Sequence, residues 1–186
     1  KAKSCFQLAL DIDSKHQKSN SNLGNILVDE MKPLNALSHL EAGGQIDSKA
    51  RLNLGLCRLL LGDFKRGWTD YSARLDSFVS PCIGGCPLST LSQLKGPSRS
   101  IYVWSEQGLG DSLMFVRYLR ILLNFEHKFV FLCQPSLFDL FKSSFSDCKS
   151  SLLTIERLPS KVPLRISEDS FHVPLLSLPG IFDTCE

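Results

Sequence analysis

The residues best suited to chemistry lie in one glycine-containing turn between a short apolar strand and an apolar helix. Asp111 follows Gly108 and Gly110 in this turn, directly before the helical stretch. Glycines between a strand end and a helix start let the backbone approach a ligand closely, and free amides at the helix start can hold an anionic group. We therefore expect chemistry at Asp111. Around it, five residues are candidates for substrate contact: Gln107, Gly108, Leu109, Gly110 and Ser112.

The same acid also has a purely structural interpretation. Aspartate is among the commonest N-cap residues, because its side chain accepts a hydrogen bond from a free amide of the first turn. Asp111 together with Ser112 would cap the following helix without any catalysis. The residue types alone leave both roles open.

The elements that position this turn predict an α/β domain over residues 100–186. Ser100–Trp104 is β-branched and aromatic and follows a Gly-Pro-Ser breaker, which predicts a strand, and Leu113–Leu123 predicts a buried helix. Further strands are expected at three places: His127–Cys133, Leu152–Glu156 and Phe171–Val173. Alternating strands and helices favour a parallel sheet. The expected fold is a partial, Rossmann-like one.

The first 75 residues predict consecutive short helices instead. The pairs Leu23–Gly24 and Leu54–Gly55 stand 31 residues apart, and a small residue follows each at the same offset, Ala36 and Gly67. Small residues recurring in this way allow paired helices to approach closely. Residues 76–99 are rich in proline and glycine without periodicity, which predicts an irregular linker.

Composition excludes several classes of function. The chain has 186 residues with 43% hydrophobic and 22% charged residues and a net charge of +2, so we expect no nucleic-acid partner. No apolar run approaches the ~20 residues of a membrane span, and the N-terminus does not resemble a signal peptide, so we expect a cytoplasmic protein without a membrane span. The chain lacks an initiator methionine, and we expect it to be part of something longer.

The cysteines allow a disulfide framework or a shared metal as alternatives to free thiols. Seven cysteines are an odd number, which favours reduced thiols over a disulfide framework, although Cys82 and Cys86 are close enough to share a metal. Because no second close pair of cysteines accompanies them, we expect no metal.

The glycine turn does not match a dinucleotide-binding fingerprint. Leu113 stands where that fingerprint needs its third glycine, and no acid follows the second strand at Cys133. A phosphate-binding loop is not expected either, because no Gly-Lys-Ser or Gly-Lys-Thr follows these glycines.

Three blocks of sequence resemble bacterial proteins that join tetratricopeptide repeats to a glycosyltransferase-like domain. Residues 106–119, EQGLGDSLMFVRYL, resemble the opening turn of that domain, which is similar to the heptosyltransferases of lipopolysaccharide synthesis. Residues 61–68, LGDFKRGW, with Tyr71 and Arg74 resemble the last repeat, and the stretch 172–179, HVPLLSLP, also matches. The resemblance covers residues 54–179.

The resemblance implies a GT-B architecture, in which two Rossmann-like domains enclose the active site and the second holds the nucleotide-sugar. This chain would carry tetratricopeptide-like repeats at 1–75 and the first, acceptor-side half at 100–186. The resemblance also implies that Asp111 is the general base for the acceptor hydroxyl, a role for which a fixed carboxylate is suited. No cofactor is implied, because the nucleotide-sugar is a substrate.

The resulting expectation is sugar transfer to an unknown acceptor by the full-length protein, with this chain alone inactive. The alternative is a tetratricopeptide scaffold that binds a protein or peptide partner on its helical repeats and carries a non-catalytic α/β module. Whether the protein is an enzyme is left open by the sequence.

Overall fold

The computed structural model describes residues 1–44, 47–147, 151–160 and 163–184. The chain divides into two compact units. The first comprises residues 1–78 with the C-terminal segment from Asp183, and the second comprises Val79–Phe182. The mixed α/β class predicted from the sequence is confirmed, and the sheet of the second unit is parallel.

The first unit is built from helices that each pack on the next. They are α1 (Ala2–Ile12), α2 (Gln17–Asp29), α3 (Pro33–Gly43), α4 (Ser48–Leu60) and α5 (Phe64–Tyr71), followed by a 3-10 helix at Ser72–Ser77. The most extensive packing joins α2 to α3 and α4 to α5. Pro33 opens α3 in the favoured first-turn position, and the Asp63 side chain accepts a hydrogen bond from the Arg66 amide at the start of α5.

In each of the two helical pairs, α2 with α3 and α4 with α5, a glycine allows the helices to approach closely. A Cβ atom on Gly24 would lie 2.6 Å from Cγ of Leu40, and one on Gly55 would lie 2.5 Å from the backbone nitrogen of Tyr71. Both distances are too short for a real side chain. The small-to-large pairing recurs at the 31-residue spacing seen in the sequence, which gives the two pairs a common packing scheme.

A buried charge lies beside the second of these contacts. Asp70 is 4% exposed, and its carboxylate pairs with Arg58 and, at 3.5 Å, with Nε of Arg51. Arg58 Nη2 also donates to Glu41 at 2.9 Å, so it links α4 to both α3 and α5. Burial of an aspartate is tolerable here because two cations compensate its charge.

The second unit contains a five-stranded parallel sheet and a two-stranded one. Its strands are β1 (Cys82–Ile83), β2 (Cys86–Pro87), β3 (Ser100–Trp104), β4 (Lys128–Cys133), β5 (Leu153–Arg157), β6 (Leu164–Arg165) and β7 (Phe171–Pro174). The larger sheet has the order β2-β7-β3-β4-β5, and β1 pairs with β6. Its helices are α6 (Leu109–Phe115), α7 (Tyr118–Leu122), α8 (Phe138–Ser144) and α9 (Leu178–Ile181), with 3-10 turns at Leu91–Lys95, Pro135–Leu137 and Leu175–Ser177.

The two faces of the larger sheet differ in burial. On one face Ile101, Val103 and Phe131 are fully buried, and the Phe131 ring packs against Phe141 of α8 with centroids 5.5 Å apart. On the other face Tyr102 and His172, which are register partners, are only partly buried. Helix α8 therefore packs on the apolar face.

Two sequence expectations for this unit need correction. The single helix expected at Leu113–Leu123 is two helices, because the chain makes a turn at Val116–Arg117 between α6 and α7, and α6 begins four residues earlier than expected. The helix is also less buried than expected, since Met114 is 56% exposed. Residues 76–99, expected to be an irregular linker, contain the short strands β1 and β2, which pair with β6 and β7.

Candidate functional site

The glycine turn follows the strand at which the order of the sheet reverses. From β3 the chain proceeds to β4 and then β5 on one side, and it returns later to β7 on the other side. In open α/β sheets, ligands bind outside the carboxyl ends of the strands at such a switch point, because the connections leave a crevice there. The turn after Trp104 therefore lies at the position of this unit where a ligand site is expected.

The start of the turn is fixed by the sheet. The Ser105 amide donates to the Leu132 carbonyl at 2.8 Å, which extends the pairing of β3 with β4 by one residue. Gln107 then adopts a φ of +60°, a left-handed conformation that is uncommon for a residue with a side chain. This reverses the chain so that Gly108 caps α6.

Asp111 lies at the third position of α6 and not at its N-cap. The N-cap is Gly108, whose amide donates to Asp111 Oδ2 at 2.9 Å, so the carboxylate folds back and closes the first turn. Among the described residues, Oδ1 of the same carboxylate has no hydrogen-bond partner. The side chain is partly exposed. The carboxylate thus stabilises the turn through one oxygen and leaves the second oxygen free to accept a proton.

Ser112 connects the turn to the next strand. It is fully buried, and its Oγ donates to Gln134 Oε1 at 2.9 Å, directly after the end of β4. This bond fixes the turn against the carboxyl edge of the sheet. A contact between Ser112 and a substrate stays a prediction, and the hydroxyl already has a partner within the protein.

The other predicted contact residues surround Asp111 on the outer side of the turn. Gln107 and Gly108 are exposed, Leu109 is 47% exposed, and a Cβ atom on Gly110 would meet no atom within 4 Å. The structure therefore brings the predicted residues together in one accessible turn, with Ser112 beneath it.

Three further residues with polar side-chain atoms are buried at the same edge, and sequence reasoning missed two of them, Trp104 and Ser105. Trp104 is 5% exposed and Ser105 is 2% exposed, and their Nε1 and Oγ atoms have no hydrogen-bond partner within the described part of the chain. Glu106, for which a solvated position is the ordinary expectation, is 3% exposed. Unpartnered buried polar atoms are costly, and a ligand is one way to satisfy them. Only their position, at the last residue of β3 and directly after it, could have drawn attention to Trp104 and Ser105.

The cysteines do not form a metal centre in the described ranges, where no group of three or more His, Cys, Asp or Glu side chains could hold a metal ion. Cys82 is buried and Cys86 is exposed. Burial raises the pKa of the Cys82 thiol to about 11, so this side chain is protonated at neutral pH and is a poor metal ligand. Cys148 and Cys185 lie outside the described residues.

Comparison with known proteins yields no match, either to a protein-family model or to a curated protein. Across the residues that the structure describes, no helix has both the length and the apolar character needed to span a membrane.

Proposed function

We propose that the protein is a tetratricopeptide-repeat protein of the glycosyltransferase-like type, and that it transfers a sugar from a nucleotide-sugar donor to an acceptor hydroxyl. The observation that carries the proposal is the location of the Gly108–Asp111 turn at the switch point of a parallel sheet with the order β7-β3-β4-β5. Apart from the short edge strand β2, this order matches the neighbouring strands 3-2-1-4 of the dinucleotide-binding order 3-2-1-4-5-6. In the proposed architecture a second Rossmann-like domain holds the donor, so the activity belongs to a protein that has both domains.

In the proposed mechanism Asp111 acts as the general base. An acceptor hydroxyl loses its proton as its oxygen attacks the anomeric carbon of the donor, and the nucleoside diphosphate leaves with the bonding electrons of the broken glycosidic bond. The proton passes to the unpartnered Oδ1 while Oδ2 keeps its bond to the Gly108 amide. A positioned base of this kind contributes roughly 10²–10⁴-fold to a rate.

A variant can separate the base from the helix-capping role. Asp111→Asn keeps an oxygen that accepts from the Gly108 amide but removes the basic carboxylate, so it preserves the turn and abolishes proton transfer. Asp139→Asn is the matched control, because Asp139 lies in the first turn of α8 and is 89% exposed. Both variants lose one carboxylate from the first turn of a helix in the same unit.

The test is nucleotide release by the product of the complete reading frame from a panel of UDP-, GDP- and ADP-sugars, with and without cell-extract acceptors. The proposal expects release by the wild type and by Asp139→Asn, and none by a folded Asp111→Asn. Release that survives in Asp111→Asn would reduce Asp111 to a helix-closing residue. Absence of donor binding and release altogether would contradict the transferase itself.

The second candidate function is a peptide-binding scaffold, and a groove in the first unit favours it. The groove has a volume of about 510 Å³ and is lined by residues of three helices: Lys3, Gln7, Leu23, Leu27, Leu34, Asn35, Ser38 and His39. Leucines flanked by hydrogen-bonding side chains suit an extended peptide. Selection of peptides by the wild type that an Asn35→Ala, Ser38→Ala variant no longer binds would support this function, and equal binding by both would contradict it.

A further inference from the structure

Helix α1 occupies the same place in the repeating helical pattern as α3 and α5. The three helices begin at Ala2, Pro33 and Phe64, so their starts lie 31 residues apart. Helix α3 packs on α2, which precedes it, and on α4, which follows it. Helix α1 packs on α2, which follows it, and is the first helix that the structure describes. The 31-residue spacing therefore identifies the face of α1 that corresponds to the α2-covered face of α3.

Helix α2 covers one face of α3 closely. His39 Nδ1 donates to a side-chain oxygen of α2 at 2.9 Å. Gly24 of α2 makes the close contact with the Leu40 side chain. Near Leu40 on the same helix, Ala36 and Gly43 are buried as well. These four residues of α3 are the ones that a neighbouring helix shields from solvent.

The corresponding residues of α1 form an apolar stripe that is open to solvent. This α1 stripe comprises Cys5, Leu8, Ala9 and Ile12. Leu8 is 63% exposed, Ile12 is 90% exposed, and Cys5 is exposed. The other face of α1 is apolar too, because Phe6 and Leu10 pack in the core of the first unit. A helix that is apolar on both faces is normally covered on both, so the α1 stripe is an interaction surface.

We propose that the α1 stripe binds the same stripe of a second copy of the chain, with the two helices antiparallel. A two-fold axis between Leu8 and Ala9 sets Leu8 of each copy against Ala9 of the other. The same axis sets Cys5 of each copy against Ile12 of the other. Each large side chain then faces a smaller one, which is the kind of pairing that joins α2 to α3 within the chain. The stripe is therefore complementary to itself.

The charged residues at the two ends of α1 favour the antiparallel orientation. Lys1 directly precedes α1 and Asp13 directly follows it, and both are exposed. An antiparallel pair brings the basic end of each helix to the acidic end of the other, and the two helix dipoles run in opposite directions. A parallel pair would place like charges together. Exposed ion pairs contribute little energy, so these charges select the orientation while the apolar stripe supplies the affinity.

The proposed interface is small and fits a reversible dimer. One short helix from each copy buries less than the roughly 1,200–2,000 Å² of a stable complex. We therefore expect a dissociation constant of about 0.1 mM. Helix α2 packs on the other face of α1, so the dimer is a stack of four helices that leaves the packing within each copy unchanged.

Sedimentation equilibrium of the chain at subunit concentrations from about 5 µM to about 1 mM measures this association. Leu8→Glu and Ala9→Lys are each expected to weaken it at least about tenfold, because each places charges in an apolar contact. Both residues are at least partly exposed, so the substituted side chains can reach solvent in the monomer. The matched control is Leu60→Glu, which replaces a leucine of similar exposure, 57%, on α4. It is expected to leave the association unchanged.

A mixture of the two α1 variants tests the antiparallel register. In a mixed dimer the carboxylate introduced by Leu8→Glu faces the ammonium group introduced by Ala9→Lys, and the second contact between Leu8 and Ala9 is retained. The mixture is expected to associate within about fivefold of the wild-type constant, although neither variant does so alone. A parallel pair gives no such recovery, because the two introduced charges would not meet.

Three results would overturn the inference. They are a monomer at every concentration up to about 1 mM, an equal loss of association in Leu8→Glu and Leu60→Glu, and no recovery on mixing the two α1 variants. The experiment measures association of the present chain alone. Its outcome is therefore independent of whether the protein transfers sugar.

Discussion

Adding one methyl group at Gly55 is expected to destabilise the helical unit, although alanine is the better helix former. The new Cβ would lie 2.5 Å from the Tyr71 nitrogen and 2.9 Å from the Asp70 carbonyl carbon, and both atoms belong to the backbone of α5. No side-chain rotation relieves such a contact, so α5 must move away from α4. Overpacking of this kind costs about 1–3 kcal/mol. The gain in helix propensity is about 1 kcal/mol.

Subtracting the propensity gain from the overpacking cost leaves a net loss of about 0–2 kcal/mol for Gly55→Ala. We expect the upper half of that net range, about 1–2 kcal/mol, because α5 also holds the buried Asp70 against Arg58. Gly110→Ala is the control, since it adds the same methyl group to α6 in open space. It is expected to stabilise its helix by about 0.5 kcal/mol. Native-state hydrogen exchange read by mass spectrometry resolves the two units. Unchanged or slower exchange of α4 and α5 in Gly55→Ala would refute the close helix approach.

Three further perturbations test other contacts. Asp70→Asn leaves Arg58 without its buried anion and is expected to cost about 2 kcal/mol in urea unfolding; a loss below a few tenths would contradict the described pair. Ser112→Ala is expected to cost about 1–2 kcal/mol, and in a double-mutant cycle with Gln134→Ala the two losses should not add. Burial lowers the pKa of His172 below its ordinary 6.5, so the unfolded chain binds the proton first and stability falls as the pH drops below 6.5. In His172→Asn, the midpoint of thermal unfolding should fall less over this pH drop than in the wild type. An equal fall in both proteins would show that His172 does not cause the pH dependence.

The sequence contains enough information for those elements that carry their own pattern. Ser100–Trp104 is a strand with the predicted bounds, because its β-branched and aromatic residues follow a breaker. The strand Phe171–Pro174 ends one residue later than expected. The consecutive short helices expected over the first 75 residues are present as α1 to α5.

The short strands and the order of the strands in the sheet could not be predicted from the sequence, because they depend on contacts between residues that are distant in the chain. Strands β1, β2 and β6 have two residues each, too few to show an alternating pattern, and they form only against partners elsewhere in the chain. The side of β3 on which β7 pairs is likewise set by long-range packing. The switch point, and with it the best argument for a site at Asp111, becomes visible only in the folded chain.

The hydrogen bonds inside the candidate site could not be predicted from the sequence either. An N-cap aspartate and one at the third helical position look alike in sequence, since both precede an apolar helix; the 2.9 Å bond from the Gly108 amide distinguishes them. The hydrogen bond between Ser112 and Gln134 could not be predicted from the sequence, because the two residues are 22 positions apart.

A general-base role for Asp111 is tested by comparing the transferase kinetics of Asp111→Asn and Asp139→Asn in the complete protein, with any donor that the release screen identifies. We expect a kcat for Asp111→Asn that is roughly 10²–10⁴-fold below wild type, with KM for the donor unchanged and Asp139→Asn at the wild-type rate. A kcat for folded Asp111→Asn within about twofold of that of Asp139→Asn would contradict a catalytic role for this carboxylate.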